Sequence, residues 1–229
     1  MSEWWTYRLT SFLLFSPRTY YRLIELYNVA IWPAQLAGIA IGLAILGLLI
    51  GKRRHRERII AGLLAVCWLW IALAFHYQRY AQINWAATGF AVAFGCEALL
   101  LVVVGVLANR LAFQTATGGV AWIATSIIAV AVVGYPLLAA LTGRPWMTAE
   151  IFGVAADPTA IASVAVLALV RGRIRWLLLI MPVLWCAMAA ATLWAMGAPE
   201  GWVVLAAGLL ALCPALPGPR RDAMNASQR

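Results

Sequence analysis

Seven long apolar runs, joined by short polar connections, make up most of the 229-residue chain. By residue number they are 30–50, 59–75, 85–108, 119–141, 158–170, 176–196 and 202–216. A helix of about 20 apolar residues is long enough to cross the hydrocarbon core of a bilayer. The pattern therefore predicts an all-α integral membrane protein, a bundle of about seven transmembrane helices. The fifth and seventh runs are short for a full crossing, so six spans is the alternative.

Composition supports lipid rather than water as the main solvent of this chain. Hydrophobic residues make up 65% of it and charged residues 11%, whereas soluble domains are about half apolar and a quarter charged. The net charge is +9, but the basic residues gather in short connections, where anionic lipid headgroups rather than nucleic acid are the expected partners. The densest groups are Lys52, Arg53, Arg54, Arg56 and Arg58, followed by Arg171, Arg173 and Arg175.

The distribution of arginine and lysine predicts the orientation. The segments after the first, third, fifth and seventh runs hold more of them than the N-terminal segment and the other three connections together. The more basic side of a membrane protein faces the cytoplasm. We therefore expect a multi-pass protein of the bacterial cytoplasmic membrane, with a periplasmic N-terminal segment at 1–29, a transmembrane bundle at 30–216 and a cytoplasmic polar tail at 217–229. No cleavable signal peptide is expected, because the N-terminus lacks a basic start and its apolar run is short.

An amphipathic helix is predicted ahead of the first run. Ser16 followed by Pro17 is a typical helix start, a capping residue and then proline at the first helical position. A helix from there places charged and apolar side chains on different faces: Arg18, Arg22 and Glu25 on one, and Tyr20, Leu23, Ile24 and Tyr27 on the other. Such a helix is expected to lie in the outer membrane interface.

Glu97 is the most distinctive single residue because it falls near the middle of the third run. A charged group at that depth costs about 2.5–3.5 kcal/mol on insertion scales, and such residues usually face the interior of the bundle. No lysine or arginine lies within any run to pair with it. We therefore expect Glu97 to be mainly protonated and hydrogen-bonded, as a proton-coupling group or as a structural tie between helices.

The connection FHYQRYAQINWA, at 75–86, is far more polar and aromatic than a plain turn requires. If the second helix continues for a turn, His76, Arg79 and Tyr80 share one face. Further polar or aromatic residues are predicted on the same outer side: Arg144, Trp146, Glu150, Asp157 and Glu200. The sequence predicts a polar vestibule above Glu97, with membrane anchoring by these side chains as the alternative.

Simpler roles are expected for the two acids nearest the fifth run. Asp157 precedes Pro158, which is typical of a helix cap followed by a first-turn proline. Glu150 has no such local explanation, and a solvated loop carboxylate is the commonest one. Asp157 is therefore discounted as a site at this point, whereas Glu150 stays a candidate.

Cofactor and catalytic chemistry find no support in the sequence. The four cysteines are widely spaced inside apolar runs, and the two histidines are predicted on opposite sides, so no metal site is expected. No hydrolase or phosphate-binding motif is present, and the single lysine, Lys52, lies in a connection, which excludes a membrane Schiff base. No cofactor is predicted, and because no catalytic motif is found, an enzyme is the least favoured of the functions considered below. Gly38 and Gly42 have the spacing of a close helix-packing face, which would also suit a homodimer.

Three stretches carry a family resemblance: MSEWWTYRLTSFLLFSPRTYYRLIELYNVAIWPAQ, HYQRYAQINWAA and GRPWMTAEIFGVAADPTA. They resemble a family of bacterial inner-membrane proteins of unknown function, over nearly the whole chain. The resemblance implies a multi-span membrane protein. It implies no activity, substrate or site residue.

Three functions remain open on the sequence alone. The leading hypothesis is a transporter or channel-like protein for a small solute or ion, proton-linked through Glu97. The second is a non-catalytic partner that assembles or stabilises another membrane complex. The third is a membrane enzyme that uses His76 and Glu150 on a lipid or small outer-face substrate. For the first, Glu97, His76, Arg79, Tyr80, Glu150 and Trp146 are the candidate path residues.

Overall fold

The computed structural model describes residues 14–51, 53–113 and 119–215. Within these residues the fold is all-helical, as predicted, and the helices follow the apolar runs. Nine α-helices are described: α1 Pro17–Ala30, α2 Ala34–Ile50, α3 Arg56–Trp70, α4 Ala87–Leu100, α5 Gly119–Ala129, α6 Leu137–Leu141, α7 Ala156–Ala168, α8 Ile174–Ala195 and α9 Glu200–Leu212. Lys52, the start of the N-terminal segment and the polar tail lie outside the described residues.

Several helices continue or end in tighter or wider turns. Stretches of π-helix extend α3 at Ile71–Tyr77, α4 at Leu101–Leu107 and α5 at Val130–Gly134. Short 3-10 turns follow at Tyr80–Gln82, Trp146–Thr148 and Cys213–Ala215. π-helical turns inside α-helices are rare and occur often at functional sites.

Three described helices are long and apolar enough to cross a membrane: Arg56–Gln82, Ala87–Leu107 and Ile174–Ala195. α1 and α2 make a fourth if they form one broken span, since they meet at 89° near Pro33. The helices at Trp122–Gly134, Ala156–Ala168 and Glu200–Ala215 are apolar but shorter. The length criterion therefore supports three or four spans rather than all seven.

The predicted helix start at Ser16 is confirmed. Its side chain accepts a hydrogen bond from the backbone N–H of Thr19 at 3.1 Å, and Pro17 occupies the first turn. α1 is amphipathic as expected: Arg22 and Glu25 form an exposed ion pair at 2.8 Å, while Tyr20, Ile24 and Tyr27 are buried. The apolar face of α1 thus packs on the protein.

α7 lies at the centre of the fold. All of its residues are buried, and it packs against α5, α8 and α9. A helix that is apolar all round belongs in the core of a bundle. Because α7 is surrounded, any polar group at its ends is held away from solvent by protein.

Gly38 and Gly42 pack inside the chain. A Cβ atom added to Gly38 would lie 2.3 Å from the carbonyl oxygen of Phe152, and one added to Gly42 would lie 2.6 Å from a methyl group of Val132. Small residues let helices and backbone approach this closely. This face of α2 is therefore filled by the chain's own residues, which removes the reason for assigning it to a dimer.

The predicted cytoplasmic connections meet at one end of the bundle. The Arg56 guanidinium donates to the carbonyl oxygen of Gly51 at 2.9 Å and stands 5.9 Å from the ring of Phe113. The backbone of Phe113 in turn pairs with Val170 in an isolated bridge. The arginines after α2 and after α7 thus share one end. Arg53, Arg54, Arg58, Arg171 and Arg173 are exposed there, and Arg175 is half-buried.

Candidate functional site

A buried irregular segment, residues 149–155, leads into α7. α1 holds it: the Asn28 side chain donates to the carbonyl oxygens of Met147 and Ala149, at 2.9 and 2.8 Å, and the Tyr27 hydroxyl donates to that of Val154 at 2.8 Å. Gly153 supplies a turn with φ of +83°, a conformation that favours glycine. At membrane depth, non-helical backbone is tolerated only where protein buries it or it lines a cavity.

Asp157 lies in the first turn of α7 and faces the bundle. Its carboxyl accepts hydrogen bonds from the Trp185 indole N–H at 2.9 Å and from the Tyr135 hydroxyl at 3.3 Å. The N-cap of α7 is Ala155, without a side-chain cap bond, so the interpretation of Asp157 as a cap was wrong. Trp185 is half-way along α8, which places the carboxyl level with the middle of the longest single α-helix.

Arg144 and Glu200 form a buried ion pair beside Asp157. The Arg144 Nε atom is 3.0 Å from a Glu200 carboxyl oxygen, with side chains 13% and 4% exposed. The guanidinium also stands 4.5 Å from the ring of Tyr21. The second Glu200 oxygen and one Arg144 nitrogen have no hydrogen-bond partner among the described residues. Both groups therefore keep unused hydrogen-bonding capacity inside the protein.

Glu150 is buried rather than solvated, at 8% exposure. Its carboxyl interacts electrostatically with the carboxyls of Asp157 and Glu200 and with the Arg144 guanidinium. The Tyr20 hydroxyl interacts with the same carboxyl. We call Arg144, Glu150, Asp157 and Glu200 the carboxyl cluster: three buried acids share a single arginine.

A small cavity opens beside Asp157. Its volume is about 20 Å³, enough for one water-sized species. The lining comes from α1, α4, α7 and α8: Tyr20, Phe90, Asp157, Trp185, Met188, Ala189, Thr192 and Leu193. Asp157 is the only carboxyl group among these residues, and three aromatic side chains surround it.

His76 is fully buried in an aromatic box and does not line this cavity. Its ring centroid is 4.4 Å from that of Phe94, 4.8 Å from that of Trp185 and 5.2 Å from that of Phe75. Neither ring nitrogen has a hydrogen-bond partner among the described residues. His76 therefore acts through packing: it holds the indole that donates to Asp157.

The remaining predicted path residues are only partly brought together. Tyr80 is buried with its ring 6.0 Å from that of His76, but Arg79 lines a separate surface cavity that it shares with Arg18 and Arg22. Trp146 is exposed on its 3-10 turn. The π-helical turn at the end of α3 changes the helical register, so Arg79 does not share a face with His76 and Tyr80.

Glu97 is 3% exposed, half-way along the helix Ala87–Leu107, and its Oε1 atom has no hydrogen-bond partner among the described residues. It does not line the cavity at Asp157. The structure agrees with the expected burial near the middle of the helix. A hydrogen-bonded carboxyl was also expected, but the Oε1 atom makes no hydrogen bond to the described residues. Glu97 thus lies apart from the carboxyl cluster.

Sequence reasoning missed three of the residues that define the site: Trp185, Tyr135 and Tyr20. Trp185 and Tyr135 lie inside apolar runs and Tyr20 lies on the apolar face of an amphipathic helix, where packing or membrane anchoring is the ordinary explanation. The only available signal was that buried tyrosine and tryptophan usually need a hydrogen-bond partner. That rule does not identify which carboxyl group they meet.

Comparison with known proteins gives a family but no activity. Searches among curated proteins and among solved structures each gave no match. A family model described as "Family of unknown function (DUF6064)" matches residues 18–226. The chain therefore belongs to this family of unknown function.

Proposed function

We propose that this protein moves a small solute or ion across the bacterial cytoplasmic membrane, coupled to protons through buried carboxyl groups. The carboxyl cluster carries the proposal. Ionisable groups buried inside a membrane bundle are costly, and they often mark substrate paths and proton relays. One arginine cannot neutralise three carboxylates. The cluster therefore binds and releases a proton more readily than a single carboxylate that has its own positive partner.

The architecture around α7 favours the same function. In many transporters, discontinuous helices end near the bilayer midplane and form the substrate site there. Here a buried irregular segment leads into the short α7, and the Asp157 carboxyl at its first turn meets Trp185 half-way along α8. A carboxylate at a helix N-terminus also interacts favourably with the helix dipole.

We further propose seven spans, with the shorter helices completed by their flanking segments. α5 continues through Val130–Gly134 into α6, and the buried segment 149–155 extends the path of α7. The arginine-rich end then faces the cytoplasm and anionic headgroups, and the N-terminal segment lies outside. Glu97 is a second proton-binding group on this proposal.

The test is solute-dependent proton flux in proteoliposomes loaded with a pH-sensitive dye. Sodium, potassium, ammonium and a panel of small charged and neutral solutes are added outside in turn. We expect at least one to change the internal pH faster than in protein-free liposomes, and Glu150→Gln or Glu97→Gln to reduce that rate. Glu25→Gln, at an exposed ion pair, is the matched control. No solute-dependent flux with the wild-type protein would contradict the proposal.

A further inference from the structure

The cavity beside Asp157 has a charge that its surroundings do not balance. The carboxyl accepts bonds from two neutral donors, Trp185 and Tyr135, and forms no salt bridge within the described residues. Hydrogen bonds to a carboxylate favour its charged form, whereas burial opposes it. Arg144, which also interacts electrostatically with Asp157, is paired with Glu200 at 3.0 Å. A bound cation would therefore stabilise the ionised Asp157 carboxyl.

Aromatic walls on the same cavity also favour a cation. Tyr20, Phe90 and Trp185 line it, and the faces of such rings attract positive charge within about 6 Å of the ring centroid. The Phe90 and Trp185 rings are 5.4 Å apart at 78°, so they form a corner rather than a flat stack. The rings of His76 and Phe94 pack against that of Trp185 and hold it in this position.

The kind of cation follows from size and from the available ligands. The cavity of about 20 Å³ holds one water-sized group. Hard metal ions require about six or more oxygen ligands, whereas the side-chain oxygens in the lining come from Asp157, Tyr20 and Thr192. The Thr192 hydroxyl donates to the carbonyl oxygen of Met188 at 2.8 Å, so its oxygen can still accept a bond. Met188, Ala189 and Leu193 present alkyl surface.

We propose that this cavity binds one ammonium-type head group, either ammonium itself or the –NH₃⁺ group of a short primary amine such as methylammonium, whose methyl group stays at the mouth of the cavity. Asp157 is the counter-ion and hydrogen-bond acceptor, and Trp185, Phe90 and Tyr20 are the cation-binding walls. The proposal names the class of solute that the proposed transport function would move, and so it rests on that function. Binding itself, however, is measurable without transport.

The test is isothermal titration calorimetry of the full chain in lipid nanodiscs, with methylammonium chloride as ligand and sodium chloride as the salt control. We expect one saturable site for methylammonium and none for sodium. Asp157→Asn is expected to abolish binding, and Trp185→Phe to weaken it about tenfold by losing the best cation-binding ring and one hydrogen bond to Asp157. Glu25→Gln should bind as the wild type does.

A ligand series keeps the proposal falsifiable even if the Asp157 variant does not fold. On the wild-type protein, tetramethylammonium should bind at least about tenfold more weakly than methylammonium, because it has no N–H to donate to Asp157 and no water-sized –NH₃⁺ group to enter the cavity. Equal binding of the two cations, a sodium heat that matches methylammonium, or full binding by Asp157→Asn would overturn the proposal. Methylammonium binding without any flux contradicts only the transport function, and flux of another solute without methylammonium binding contradicts only this inference.

Discussion

Replacement of Gly38 by alanine should destabilise the protein through one close contact. The added Cβ would lie 2.3 Å from the carbonyl oxygen of Phe152, where ordinary contacts begin at 3.4 Å. The buried segment must therefore move by about 1 Å or α2 must separate from it, and overpacking of this kind costs about 1–3 kcal/mol. The added methyl group would meet backbone atoms, so no side-chain rotation can relieve the contact.

Gly47→Ala is the matched control on the same helix. A Cβ at Gly47 meets nothing within 4 Å, so the substitution should only add helix propensity, about 0.5–1 kcal/mol. Both variants gain this helix propensity, so they should differ by the overpacking cost alone, about 1–3 kcal/mol in the free energy of unfolding. Denaturation by sodium dodecyl sulfate in mixed micelles, followed by tryptophan fluorescence, measures this difference.

A functional consequence follows from the same geometry. The segment that Gly38 contacts carries Glu150, and the two glycines approach closely, with the Gly38 Cα atom 2.9 Å from a Cβ built at Gly153. Gly38→Ala should therefore also reduce proton-linked flux, while Gly47→Ala leaves it unchanged. Equal stability of the two variants would refute the close packing of α2 on this segment.

Two further predictions concern the buried polar groups. Arg144→Leu should cost about 3–5 kcal/mol of unfolding free energy because it leaves Glu200 buried without its cation, and Glu200→Met in the same chain should recover most of this; no recovery would show that the ion pair is not the cause. His76→Phe should be neutral or stabilising because it removes two unpartnered ring nitrogens from an aromatic box; a loss of more than about 2 kcal/mol would show that a nitrogen has a partner.

The helices were predictable because their causes are local. The Ser16–Pro17 start, the two faces of α1 and the positions of the apolar helices all follow from residues close together in sequence. Span length was harder to predict, since hydropathy does not reveal the π-helical turns or the break at Pro136. A continuous apolar run therefore looked like one span where the structure has α5 and α6.

The site was less predictable because it depends on contacts between distant segments. Asp157 looked like a helix cap because Asp-Pro at a helix start usually is one, yet its partners are Tyr135 and Trp185. Glu150 looked solvated because its loop is polar in sequence, but α1 covers that loop. Glu97 was found correctly as a mid-helix buried acid, since depth can be read from sequence position alone.

Chemical access to the cavity in intact membranes would show whether Asp157 lies on a solute path. Ala189→Cys places a thiol on its wall, in a background where the four native cysteines, Cys67, Cys96, Cys186 and Cys213, are replaced by alanine. We predict that silver ion, a thiol-binding cation about the size of one water molecule, reaches this thiol in the intact membrane and protects it from maleimide labelling after denaturation, and that methylammonium slows this protection. If silver ion does not reach the thiol until the protein is denatured, the cavity is sealed, and the claim that Asp157 lies on a solute path is contradicted.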